Sequence, residues 1–173
     1  MNRYFSATKA LIISIFYICI TVECLAMKPS EFFHQLNSKN MHLVEEFYKA
    51  DAVLVDPIGR IEGSSRIRAY YEHQYKNAQT IEWEIGTEFQ SGNELSFPWV
   101  MILKAEGLNG GEAYRVDGMS RFVVEADGKV SFHQDYFDVG AFIYEKIPVM
   151  SHIVSYIKGR LKKGLNDFDA VSK

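Results

Sequence analysis

Hydrophobic periodicity constrains this chain more than any other feature. Ahead of residue 78, apart from one short strand, apolar residues recur at helical spacing. Pro29 and Ser30 open a short helix around Phe32, Phe33 and Leu36. A second helix is expected from His42 to Lys49, with Leu43, Phe47 and Tyr48 on its inner side. The short strand Ala52 to Asp56 ends at Pro57, which cannot donate to a central ladder. Ser64 or Ser65 is the expected cap of a third helix carrying Ile67, Tyr70, Tyr71 and Tyr75. Beyond it the period becomes two. Strands are expected near 80–90, 95–106, 112–125 and 129–138, with turns at Gly92-Asn93, Asn109-Gly110-Gly111 and Asp127-Gly128. Helices followed by an antiparallel meander predict an α+β fold, with a curved sheet packed on the N-terminal helices around a hollow.

The two ends of the chain differ from this middle. Arg3 and Lys9 precede an apolar run, Ala10 to Val22, and Glu23-Cys24-Leu25-Ala26 follow. This is the order of a secretory signal peptide, so residues 1–26 are expected to direct export to the periplasm or the exterior. The alternative is an uncleaved anchor, or a cytoplasmic chain starting at Met27. Removing 26 of 173 residues leaves 147, enough for one domain with its own core. Both cysteines fall in the leader, so residues 27–148 are expected to fold without disulfide or thiol chemistry. Residues 149–173 form a tail. Val149, Met150, Ile153, Val154, Ile157 and Leu161 share one helical face, and Lys158, Arg160, Lys162 and Lys163 cluster near its end. Such a helix packs on the body or on a second copy, with its cations at the C-terminus; the less favoured reading lays it on a membrane surface.

Charge excludes one class of partner. Past the leader, 17 basic residues stand against 21 acidic ones, which is no nucleic-acid-binding surface. The five histidines are scattered without metal-ligand spacing, and no phosphate-cradling or dinucleotide glycine motif occurs, so neither metal nor cofactor is expected.

Two stretches carry a family resemblance. Tyr48-Lys-Ala-Asp-Ala-Val-Leu-Val-Asp56-Pro57-Ile-Gly59, continuing through Glu62-Gly63 to the Arg66–Tyr71 helix, resembles ketosteroid isomerase and SnoaL-like proteins. Asp127-Gly128-Lys-Val-Ser-Phe-His133-Gln-Asp135-Tyr-Phe137-Asp138 is similar to the last strand of limonene-epoxide hydrolases. The likeness spans about residues 29–148 and implies the cone-shaped nuclear transport factor 2-like fold. It also implies a pocket for a small, largely apolar molecule. The position matching Asp56 is a general base in the isomerases, and that matching Asp135 holds water in the hydrolases. If both acids face one cavity, burial and like charge favour proton transfer near neutrality.

Strand parity bears on the same site. His133, Asp135 and Phe137 share a face, which makes His133 with Asp135 a candidate base–orienter pair. Asp56 reads equally as a pocket carboxylate and as a turn residue before Pro57. Tyr48 and Tyr71 fall at pocket-tyrosine positions of the isomerases, and tyrosines on inner helix faces are also ordinary core residues. The isomerase's oxyanion donors are missing: the matching positions are Phe32 and Gly118, with Asp117 one residue away on the opposite face. The hydrolase's upstream arginine and aspartate are replaced by Trp99-Val100-Met101-Ile102-Leu103. Candidate catalytic residues are therefore Asp56, Asp135 and His133, and candidate ligand contacts are Tyr48, Tyr71, Phe137, Phe32 and Gly118. Arg115 and Asp117, on the outer face, are expected to make a cross-strand ion pair or a dimer contact. Trp83 and Trp99 read as sheet-packing residues, with cavity lining the less favoured alternative. Two expectations remain open beside each other: a binding module, and a general acid–base isomerase, cyclase or hydrolase. A homodimer through the outer sheet face, including Tyr136 and the 112–125 strand, is compatible with either.

Overall fold

The computed structural model describes residues 27–171, and side chains up to residue 162. The expected leader, residues 1–26, lies outside the described residues. Three short helices lead: α1 (Pro29–Gln35), α2 (Leu43–Phe47) and, after strands β1 (Tyr48–Val55) and β2 (Arg60–Glu62), α3 (Ser64–Asn77). Strands β3 (Ala78–Ile85), β4 (Phe89–Ser91), β5 (Glu94–Ala105), β6 (Tyr114–Val124) and β7 (Val130–Phe137) follow, then α4 (Val139–Phe142) and α5 (Pro148–Val171). The strands form a single seven-stranded sheet in the order β2-β1-β7-β6-β5-β3, with β4 on β5.

The α+β expectation holds, with three differences of detail. The second helix ends at Phe47, and Tyr48 and Lys49, expected in it, open β1 instead, where the backbone of Tyr48 is drawn into pairing with Val130 of β7. The sheet is mixed: β1 runs parallel to β7, pairing Leu54 with His133. Periodicity gives a strand its faces but not its neighbour, and the first strand here inserts beside the last. The cap of α3 is Gly63, not a serine. Chain entry from β2 requires φ of +91° at that residue, a conformation that glycine adopts cheaply.

Register shifts on β1, β3 and β6 bend the sheet. Its inner face carries Phe97, Trp99, Met101, Val116, Phe122 and His133, on which α1 and α3 pack Phe32, Phe33, Ile67 and Tyr71. Phe32 is wholly buried and stacks on Phe47 at 4.1 Å, with Tyr48 and Tyr71 edge-on to it. The outer face is polar, with Arg115 paired to Glu84 and Arg121 to Glu94, both at 2.6 Å. Arg115 thus makes the expected cross-strand ion pair, with Glu84 of β3, whereas Asp117 makes none among the described residues. The apolar face of α5 is not covered by the body: Val149, Ile153, Ile157 and Leu161 are exposed. No helix among the described residues is long and apolar enough to cross a membrane.

Candidate functional site

The polar part of the inner face gathers on β7. His133 is fully buried, its ring stacked on Phe122 at 4.3 Å. Its Nε2 lies 2.8 Å from Asp135 Oδ1, and its Nδ1 lies 2.7 Å from the Tyr48 hydroxyl. The Tyr48 hydroxyl in turn lies 3.2 Å from that of Tyr71. From β6, the Ser120 hydroxyl also donates to Asp135 Oδ1, and Trp99 Nε1–H donates to Ser120 at 2.8 Å.

One assignment satisfies the whole chain of partners. Tryptophan nitrogen only donates, so the Ser120 oxygen accepts from Trp99 and its proton goes to Asp135. On the other branch Tyr71 donates to Tyr48, Tyr48 to Nδ1, and Nε2–H to Asp135. Both branches end on Oδ1. Oδ2 has no hydrogen-bond partner among the described residues. Burial pushes the Tyr48 hydroxyl well above its ordinary pKa, and the negative charge of Asp135 adds to this against the Tyr71 hydrogen bond. Burial likewise raises Tyr71, so both remain protonated donors at neutral pH.

Asp56, just past the end of β1, serves as turn residue and pocket residue together. Its Oδ1 accepts from the backbone N–H groups of Ile58 at 2.7 Å and Gly59 at 2.8 Å. Tyr70, from α3, donates to Oδ2. Burial, then the hydrogen bond to Asp56 and the charges of Asp56 and Asp135, hold the Tyr70 hydroxyl far above its usual pKa.

Asp56 and Asp135 line one inner hollow of about 40 Å³, walled by aromatic rings that include Tyr71, Trp83, Trp99 and Phe137. Tyr70, Gln74, Met101 and Phe142 also border a wider apolar vestibule of about 370 Å³, whose far walls include Ile81, Leu103 and Leu108. The hollow and the vestibule thus adjoin across these four residues. Its volume falls in the usual range of small-molecule sites, which the hollow alone does not reach.

The candidates sort by position. Asp56, Asp135, Tyr71 and Phe137 line the hollow, and His133 stands behind Asp135. Three others do not line it. Tyr48 is sealed in the core as the link between Tyr71 and His133. Phe32 lies in the stack beneath it. Gly118 is covered by the Trp99 ring, which would sit 2.3 Å from an added Cβ. Sequence reasoning missed Tyr70 and Ser120, and it favoured packing over cavity lining for Trp83 and Trp99, although both line the hollow. Parity held a signal for Ser120: with Tyr114 it is one of two hydroxyl residues at inward positions of β6.

The profile of the SnoaL-like domain matches residues 30–133. The chain belongs to this family. No curated protein sequence matches it. Among solved structures, a protein with a ketosteroid isomerase-like fold from Catenulispora acidiphila, in complex with trimethylamine, is 15% identical. It aligns over 66% of this chain and 85% of its own, with a TM-score of 0.57. A proposed SnoaL-like polyketide cyclase from Shewanella denitrificans is 14% identical over 64% and 88%, with a TM-score of 0.57. TerC, co-crystallised with polyporic acid, is 15% identical over 61% and 85%, with a TM-score of 0.54. At these identities the likeness of this SnoaL-like protein to the three is one of fold.

Proposed function

We propose that this SnoaL-like domain binds one small, largely apolar molecule, its body in the vestibule and its polar end in the hollow. The observation carrying this reading is Asp135, its Oδ2 without a hydrogen-bond partner among the described residues, on a hollow that adjoins a largely apolar vestibule. Small ligands in two proteins of the same fold, trimethylamine and polyporic acid, support it. Mass spectrometry of protein purified without organic solvent tests it. One recurring small molecule, absent from the vestibule-filling variant Ala105→Phe, is expected; empty protein from every preparation counts against the reading.

A second reading, general acid–base catalysis, is favoured by the hydrogen bond between His133 and Asp135. Oδ2 would take the ligand's proton while His133 and Ser120 hold Oδ1 still. Incubating the recovered ligand with protein in heavy water separates the readings. Exchange of one carbon-bound proton, lost in Asp135→Asn, marks catalysis; an unexchanged ligand marks binding alone. Pairing of two copies through the outer sheet face remains part of the proposal. Met119 and Tyr136 lie opposite each other there, both exposed. A monomer at all concentrations in sedimentation velocity contradicts the pairing.

A further inference from the structure

The hollow has a charge pattern that narrows the ligand class. Two carboxylates border it, and no lysine, arginine or histidine is among its lining residues. Asp56 is compensated: two backbone N–H groups and Tyr70 occupy both of its oxygens. Asp135 is compensated on Oδ1 alone. Asp135, its side chain 18% exposed, borders a hollow walled mostly by aromatic rings, whose faces are negative. A carboxylate oxygen withdrawn from water without a partner is costly, and ring faces add an attraction for cations and none for anions.

We infer that the polar end of the ligand is a protonated amine, bound by Asp135 Oδ2 and the faces of the surrounding rings. The inference rests on the binding reading above and names its substrate class. Size agrees. A space of about 40 Å³ holds on the order of three waters, the scale of an ammonium bearing one or two methyl groups. The vestibule then takes an alkyl or aryl body, since its walls are mostly apolar, Ile81, Met101, Leu103, Leu108 and Phe142 among them, with His73, Gln74 and Asn77 the polar exceptions. Trp83 Nε1 is buried without a hydrogen-bond partner, and so is the Tyr75 hydroxyl.

Isothermal titration calorimetry at neutral pH with hexylamine, 1-hexanol and hexanoate tests this. The three share an apolar chain and differ in head charge. Hexylamine is expected to bind about tenfold tighter than hexanol, the increment of one charge-assisted contact, and hexanoate is expected not to bind. Asp135→Asn keeps the Oδ1 hydrogen bonds and should bring the amine down to the affinity of the alcohol. Hexanol binding as tightly as hexylamine, or an amine preference surviving in Asp135→Asn, overturns the amine inference and leaves the apolar site standing. Failure of all three to bind overturns both.

Discussion

At the scale of single residues, the site depends on donors converging on one oxygen. Ser120 is fully buried and links Trp99 to Asp135. Ser120→Ala leaves the Trp99 N–H without a partner and is expected to cost about 1–3 kcal/mol, read as a lower urea midpoint at unchanged slope. Gly118 has a different task. Its missing side chain is the space in which Trp99 lies, and that ring is held by Ser120, Trp83 and Phe137. Gly118→Ala should therefore destabilise by about 1–3 kcal/mol, the usual cost of overfilling a packed core, with tryptophan fluorescence shifted as Trp99 moves. Part of this was legible from sequence. Parity placed His133, Asp135 and Phe137 together, and spacing placed Tyr71 inward. The link from Tyr48 to His133 was not legible, because it depends on which strand neighbours β1.

At the scale of elements, the helices, the long strands and their turns follow from period and turn chemistry. The parallel pairing of β1 with β7 does not, since alternation assigns faces and never partners. That pairing brings the end of β1, and with it Asp56, to the same hollow as Asp135. The C-terminal helix α5 is the element least tied to the body. Among the described side chains one link is the ion pair of Lys158 with the half-buried Glu145 just ahead of the helix. A chain ended after Ile147 is expected to melt within about 3 °C of the full chain, less than ~1 kcal/mol for a domain of this size. A concentration-dependent loss of stability on truncation would instead place the apolar face of α5 against a second copy.

At the scale of the whole molecule, a core built around buried tyrosines fixes how stability responds to pH. Burial raises the folded-state pKa of Tyr48 and Tyr71 above the unfolded value. Their contribution is fully present below about pH 10, where unfolded tyrosine titrates. Above it the unfolded chain releases protons that the native chain keeps, so stability falls by about 1.4 kcal/mol per pH unit for each. Urea midpoints at rising alkaline pH should show this fall. Tyr48→Phe should lower the starting stability and make the fall shallower by one such increment. The central claim is that vestibule and hollow form one ligand site. The chain has two tryptophans, and both line the hollow, so tryptophan fluorescence originates at that place. The most direct measurement is energy transfer from these tryptophans to N-phenyl-1-naphthylamine, an apolar fluorescent probe uncharged at neutral pH. Saturable transfer at one site per chain, abolished by Ala105→Phe and kept in the outer-face variant Glu82→Ala, is the predicted result. Absent transfer in the unaltered protein, or equal transfer in Ala105→Phe, would contradict it.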